Sequence, residues 1–348
     1  MSQRLRAGLV GLGKMGRNHA RVLKGLDGVE LVGIVDPEAA AEGRVMGVSV
    51  VADLDDLLAH GIDYAVVACP TALHHQVGLQ LAQAGVPALL EKPLAKDPAE
   101  AVALVEAFAE RGLVAGVGHI ERYNPALQSL RDRLSAGELG EVFQVVTRRQ
   151  GPYPQRISDV GVVLDLATHD IDLTAWVAGQ HYARIGAQTF SRTTNPYEDM
   201  VSITGLLTGG TITSHLVNWL SPFKERTTVV TGANGAFVAD TLTADLTFHA
   251  NGSEPVGWDA LAAFRGVSEG DSIRYALVKR EPLLVEHERF RDAVLGLPGA
   301  EAEIVSLAEG ARTVQVAAAI LESARTGTAV AVTDPSATSA PGVVRPGV

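Results

Sequence analysis

Leu5-Arg-Ala-Gly-Leu-Val10 runs straight into Gly11-Leu-Gly13-Lys14-Met15-Gly16, and a second apolar run, Glu30 to Val35, ends on Asp36, 20 residues beyond Gly16. A strand that hands three glycines at this spacing to the start of a helix has a physical use. The first glycine permits a tight turn, the second lets backbone N–H groups approach a pyrophosphate, and the third lets helix and strand pack closely. The helix N-terminus adds partial positive charge toward the anion. A carboxylate ending the next strand accepts hydrogen bonds from the adenosine ribose hydroxyls. The stretch therefore predicts a Rossmann-type dinucleotide site formed by Gly11, Gly13, Lys14, Met15, Gly16 and Asp36. A helix cap or turn is the competing use of Asp36. A 2′-phosphate would face its carboxylate, and Pro37 follows with no arginine close behind, so the expected cofactor is NAD.

Outward from this unit the first third of the chain keeps one rhythm. Apolar runs at Tyr64 to Ala68, Ala88 to Leu90 and Leu113 to Val117 alternate with amphipathic segments, which predicts a parallel, doubly wound α/β sheet. Leu73, Val77 and Leu81 form an apolar stripe ahead of a Gly85 stop. Asp97, Pro98 and Glu100 supply an N-cap, an N1 proline and an N3 acid for a helix carrying Val102, Val105 and Phe108. Past about residue 122 the pattern changes. A helical segment from Gly161 to Gly179 precedes alternating runs at 201–207 and 211–217, with turns at Gly209-Gly210 and Asn234-Gly235. An α+β domain with an open, mainly antiparallel sheet is expected there. Ser306 and Glu309 form a capping box for a long helix ending near Gly327. The expected division is a dinucleotide-binding domain at 1–121, a substrate-binding and oligomerisation domain at 122–334, and a disordered tail at 335–348.

A length of 348 residues suits two domains whose cores need no staples. The net charge of −11 disfavours nucleic acid or an anionic membrane as partner, so an anionic ligand must meet a local basic pocket. Cys69 is the single cysteine, no apolar stretch approaches the roughly 20 residues needed to cross a bilayer, and no signal peptide is apparent at the N-terminus; the expected compartment is the reducing cytoplasm.

Two further segments fall at the ligand crevice of such a sheet. Pro70-Thr71 and His74 follow one strand, and Glu91-Lys92-Pro93 follows another. Thr71 as a helix cap and His74 beside His75 as surface residues are the alternatives. Lys92 at the crevice edge suits a proton donor or hydroxyl anchor, and a solvated turn lysine is equally compatible with the spacing. Asp165 and His169, four apart on an expected helix, project from one face and can address one ligand. A capping Asp165 and a core His169 are the alternative. Asp170 and Asp172 read as solvent or packing groups on other faces, and no metal site is expected because no second His or Cys follows at ligand spacing.

The chain resembles the Gfo/Idh/MocA oxidoreductases over nearly its whole length, through Gly-x-Gly-x-x-Gly at 11–16, Pro70-Thr71-x-x-His74, Glu91-Lys92-Pro93 and Gly161-Val-Val-Leu-Asp165-Leu-Ala-Thr-His169, with Val160 where the family often carries a second glycine. The segments 118–125 and 159–172 are most similar to the UDP-N-acetylglucosamine 3-dehydrogenase subgroup. The resemblance implies NAD-dependent oxidation of a sugar hydroxyl, C3 of a nucleotide sugar in that subgroup. It also implies an open sheet that mediates homodimers or homotetramers, and it puts Lys92, Asp165 and His169 beside the nicotinamide. Inositol or free-sugar dehydrogenation and a sensor that binds NAD without turnover are the alternatives.

In that reading His169, with an unperturbed imidazole titrating near neutrality, accepts the hydroxyl proton. Lys92 stabilises the alkoxide, and Asp165 orients His169 or grips a sugar hydroxyl. A pyrophosphate needs cations. Arg122, Arg148, Arg149 and Arg156 lie near the domain junction, with Arg122 the expected contact and Tyr123 or Tyr153 placed to stack on uracil.

Overall fold

The computed structural model describes residues 4–154, 160–192, 196–252 and 269–333. The first sheet contains Leu5–Val10 (β1), Val29–Val35 (β2), Arg44–Val45 (β3), Val48–Val51 (β4), Tyr64–Val67 (β5), Ala88–Glu91 (β6) and Ala115–Gly118 (β7), in the order β3-β4-β2-β1-β5-β6-β7. Every pairing but β3–β4 is parallel. The chain winds outward in both directions from β1 and β5, which leaves a crevice at their carboxyl ends. The β3–β4 hairpin was not legible in the sequence. Its turn places Met46 at φ 52° and Gly47 at φ 79°, and methionine is no signal for a left-handed turn.

Helices Lys14–Gly25 (α1), Leu54–Ala59 (α2), Thr71–Gln83 (α3) and Pro98–Ala109 (α4) cover this sheet. Asp97 caps α4 by accepting from the Glu100 N–H at 3.0 Å, with Pro98 at the first position, as expected. The inward stripe of α3 differs from expectation. His74, Gly78, Leu81 and Ala82 are buried while Leu73 is exposed, because the helix turns a face one residue later toward Leu90 and Leu104.

The second sheet has nine strands: Val142–Pro152 (β8), Tyr182–Phe190 (β9), Met200–Leu207 (β10), Ile212–Asn218 (β11), Leu220–Gly232 (β12), Gly235–Asp240 (β13), Asp245–Asn251 (β14), Glu269–Arg274 (β15) and Val330–Ala331 (β16). Their order is β15-β14-β13-β12-β8-β11-β10-β9-β16, antiparallel except for β8–β11. One face, with Val145, Thr147, Arg149, His215, Val217, Thr228 and Val230, is buried under helices Pro125–Ser135 (α5) and Thr168–Ala178 (α6) and their neighbours. On the other face Val146, Leu216, Val229 and Val238 stay partly exposed.

The contiguous division at 121/122 does not follow the packing. Phe290, on the helix Pro282–Val294, meets Tyr64 of β5 edge-on at 5.6 Å. Val305, Leu307, Ala311 and Val314 join the core of Val67, Leu90, Leu104 and Phe108, and the Val117 N–H donates to Val305 O at 2.8 Å. The C-terminal segment thus returns to complete the first domain. The capping box of Ser306 and Glu309 starts the helix Leu307–Thr326 as expected. The expected tail at 335–348 lies outside the described residues. Among the described residues no helix is long and apolar enough to cross a membrane.

Candidate active site

The glycine loop fits a dinucleotide. A Cβ at Gly11, whose φ is +94°, would lie 2.6 Å from the Cys69 nitrogen, and one at Gly16 would lie 2.0 Å from Gly11 O, so both positions close the turn. A Cβ at Gly13 would meet nothing within 4 Å, which leaves the approach to the N-terminus of α1 open. Gly13 caps α1 with no side-chain bond to its first N–H groups, Lys14 is exposed and Met15 half-buried beside it. Asp36 has the turn use weighed for it. Its Oδ2 accepts from the Leu12 N–H at 2.7 Å, and Oδ1 accepts from Glu38 at 3.1 Å and Ala39 at 2.9 Å. These bonds fix the carboxylate against the glycine loop and leave one lone pair, on Oδ2, open to a ribose hydroxyl.

At the end of β5 the cap of α3 is Pro70, with Thr71 the first helical residue and so not the cap itself. His74 is neither a surface residue nor placed to touch a ligand. The ring is 1% exposed, with Nδ1 3.0 Å from Pro93 O and Nε2 3.0 Å from Cys69 O, so it clamps the loops after β5 and β6 together. Burial pushes the Cys69 thiol up to about 12, which removes it as a nucleophile. Glu91, 8% exposed, is likewise turned inward, accepting from the Lys92 N–H at 3.0 Å and facing His19 Nε2 at 2.9 Å.

Lys92 reaches across to the second domain. Its Nζ donates to Asp165 O at 2.6 Å and lies 3.2 Å from Asp165 Oδ1. Asp165 is therefore the partner of Lys92, and the expectation that it orients His169 is corrected. The reason is helical geometry: residues Val163–Ala167 form a π-turn that becomes α-helix only at Thr168, so a four-residue spacing across the junction no longer stacks two side chains. Glu198 shapes this entry by accepting from the Val163 N–H at 3.0 Å, in the space that a Cβ at Gly161 would fill. His169 makes no hydrogen bond to the described residues, and its Nδ1 is buried. Burial first, then the charges of Lys92, Arg149 and Arg226, push its pKa well below the usual imidazole value. The ring is therefore neutral at pH 7.

The arginines sort differently from expectation. Arg122, 7% exposed, grips Asp172 with Nε at 2.8 Å and Nη2 at 2.6 Å, and Glu309 with Nη1 at 2.6 Å. Three of its five N–H donors are committed to an ion triad with Asp172 and Glu309, which makes it a structural cation in place of the expected phosphate contact. It borders a cavity of about 420 Å³ whose lining includes none of Lys92, Asp165 and His169. Tyr123 is also buried, its hydroxyl donating to Glu303 O at 3.4 Å, and cannot stack on a base. Arg149 pairs with Asp170 and Glu121, both at 2.7 Å, while Arg148 is exposed 3.8 Å from Glu225. Asp170 and Asp172 are thus buried ion-pair partners rather than solvent groups. Tyr153 packs edge-on against Trp219 at 5.7 Å, and Arg156 lies outside the described residues. Among the described residues no His, Cys, Asp and Glu group is arranged to hold a metal.

Sequence reasoning missed Arg226. It lies on β12 opposite Arg149, its Nη1 is buried without a partner, and its charge reaches both His169 and Asp165. Burial and the Arg149 charge lower its pKa, against the opposing pull of Glu121, Asp170 and Asp165. No local motif announces a strand arginine; only strand pairing brings it to the site.

Comparison with known proteins agrees with this geometry. Residues 5–119 match the model of the Gfo/Idh/MocA oxidoreductase family, NAD-binding Rossmann fold, and residues 127–238 match the Gfo/Idh/MocA C-terminal domain. UDP-N-acetylglucosamine 3-dehydrogenase of Acidithiobacillus ferrooxidans is 35% identical over 214 residues, 60% of this chain and 65% of that protein. Inositol 2-dehydrogenase 4 of Saccharopolyspora erythraea is 33% identical over 205 residues, 56% of this chain and 60% of that one. The chain thus spans somewhat less than two thirds of the length of these curated relatives. A solved structure of the Acidithiobacillus dehydrogenase is similar with a TM-score of 0.79 at 27% identity, over 93% of this chain and 98% of that chain. GenD2 from gentamicin A biosynthesis, solved in complex with NAD, is similar with a TM-score of 0.79 at 26% identity, over 96% and 97% of the two chains. With its glycine loop and Asp36 arranged for NAD and both of its domains matched, the chain belongs to the Gfo/Idh/MocA oxidoreductase family.

Proposed function

We propose that the protein is an NAD-dependent dehydrogenase that oxidises a secondary hydroxyl of a sugar, the C3 hydroxyl of a UDP-N-acetylhexosamine. The observation that carries this reading is the meeting of Lys92 and Asp165 from two domains near a histidine held neutral. NAD, when bound, takes up the hydride. The side chains supply the rest. An ammonium has three donors, and the Lys92 contacts with the Asp165 carbonyl and carboxylate leave one for the substrate oxygen, where the charge stabilises a developing alkoxide. His169 accepts the hydroxyl proton. Arg226 supplies the cation for the pyrophosphate, and Tyr153 is the aromatic left to meet the uracil. The likeness to a UDP-N-acetylglucosamine 3-dehydrogenase supports this substrate. The likeness to inositol 2-dehydrogenases favours a second reading, a cyclitol substrate on the same machinery.

The uncovered face of the second sheet supports assembly into a homodimer or homotetramer. Val146, Val229 and Val238 form one cross-strand row there, and no layer among the described residues covers it.

The test is incubation with NAD and a panel of UDP-sugars, free sugars and inositols, followed by NADH absorbance and mass spectrometry of the product. A UDP-N-acetylhexosamine that loses two hydrogens at C3 bears out the reading. Turnover of an inositol alone selects the second, and NAD binding without product from any compound points to a sensor.

A further inference from the structure

We propose that His19 and His287 form a positioning relay for Lys92: a hydrogen-bond chain from His287 through His19 to Glu91 that holds the Glu91 carboxylate on the Lys92 main-chain N–H. The proposal rests on the role given to Lys92 above.

Three elements distant in sequence meet here. His19 lies on α1 three residues after Gly16, Glu91 is the last residue of β6, and His287 lies on the returning helix Pro282–Val294. His287 Nε2 is 2.8 Å from His19 Nδ1, and His19 Nε2 is 2.9 Å from Glu91 Oε1. Glu91 Oε2 accepts from the Lys92 N–H at 3.0 Å. His19 is 0% and His287 1% exposed, so water does not substitute for any link.

The proton positions follow from the partners. Burial alone would raise the Glu91 pKa, but His19 and Lys92 outweigh it and hold the group as a carboxylate, which only accepts. His19 Nε2 therefore carries the proton. We assign the other His19 nitrogen, Nδ1, as the lone pair that accepts from a protonated His287 Nε2. His287 Nδ1 is left as a buried lone pair without a partner, and burial keeps that ring neutral. Each ring has one tautomer, and the donors converge on the Glu91 carboxylate, the two histidines from one side and the Lys92 N–H from the other. The carboxylate selects this His19 tautomer, and the His287 N–H, by occupying the remaining Nδ1 lone pair, holds the ring in place against Glu91.

The surroundings are shaped around the carboxylate. A Cβ at Gly118 would come within 3.2 Å of Glu91 Cδ. Glu286, beside His287 in sequence, is 1% exposed with neither oxygen partnered. Burial and the Glu91 charge push its pKa well up, so it stays protonated and does not compete for His19. His119 and Tyr123 are the other titratable groups near this pair.

The full chain labelled with 15N-lysine carries six lysines, so the Lys92 amide can be followed singly. His287→Met keeps the volume and removes the donor. Gln at this position places an amide N–H where Nε2 stood, and Asn places it away from His19. In His287→Met we expect Lys92 amide exchange to quicken, and kcat on UDP-N-acetylglucosamine to fall, each by at least about tenfold, with KM for NAD unchanged, the scale of one lost buried hydrogen bond. His287→Gln should restore both and His287→Asn should not, so the Gln and Asn pair decides the matter even if the Met variant fails to fold. Unchanged Lys92 exchange in the Met and Asn variants, or equal losses in all three, overturns the relay. Lys92→Met measured alongside separates the two readings: normal turnover there removes Lys92 from catalysis while the amide exchange still judges the relay.

Discussion

Lys92 Nζ donates to the main-chain carbonyl of Asp165 at 2.6 Å and faces its carboxylate at 3.2 Å, joining the end of β6 to the π-turn ahead of α6. Both side chains are nearly buried, 14% and 13% exposed, so the pair is shielded from bulk solvent and its charges act at short range.

This contact predicts unequal losses. Lys92→Met should fold, bind NAD nearly normally and lose at least about a hundredfold in turnover, the low end for a positioned acid–base or electrostatic group. Asp165→Asn keeps the carbonyl contact and an acceptor oxygen, and should lose about tenfold. Steady-state kinetics beside NAD titrations check both; a larger KM effect than kcat effect in Lys92→Met would move the lysine from chemistry to binding.

His169 corrects the pH dependence expected from an unperturbed imidazole. Its pKa lies well below 6.5 because of burial and the neighbouring cations, so the neutral, proton-accepting form already predominates at pH 6.5 and is lost only as pH falls through the depressed value. The profile of kcat should be flat between about pH 6.5 and 8 and decline on the acid side. A rise centred at or above 6.5 would remove His169 from the base role. His169→Asn should cost at least about a hundredfold in turnover and leave NAD binding intact.

The two buried arginines should separate stability from substrate binding. Arg122→Met leaves Asp172 and Glu309 without their cation and should destabilise by about 3–5 kcal/mol. Arg226→Met removes a guanidinium with an unpartnered Nη1, so thermal unfolding should shift little while KM for a UDP-sugar rises at least about tenfold. Equal binding of the UDP-sugar by the Arg226 variant and the parent would sink its phosphate role.

The position of Asp36 predicts the choice of cofactor. NAD should bind more tightly than NADP, and Asp36→Ala should narrow the preference. Because the carboxylate also accepts from Leu12, Glu38 and Ala39, the variant should lose about 1–3 kcal/mol of stability as well. Calorimetric titration with both dinucleotides decides the first point and chemical denaturation the second.

Assembly through the uncovered sheet predicts a dimer or tetramer by light scattering at micromolar protein. Val229→Glu, in the middle of that face opposite Val146 and Val238, should shift the particle toward monomer without unfolding it. A parent protein that is monomeric at that concentration would refute the interface.

What the sequence determined by itself was local. The three glycines after β1, the carboxylate ending β2, the caps of Asp97 and Ser306 and the alternation of the second sheet each act within a few residues of the chain, where spacing and residue type suffice. The tertiary structure decided which charged groups meet. Lys92 and Asp165 are 73 residues apart, Arg122 and Glu309 are 187 apart, and His19 and His287 are 268 apart. A buried charge is stable only beside its counter-charge, and the strands and returning helices that bring such partners together leave no mark at either residue in sequence. That is why Arg122, exposed to suspicion as a phosphate ligand, proved to be a pillar of the fold, while Arg226 came to the candidate site unannounced.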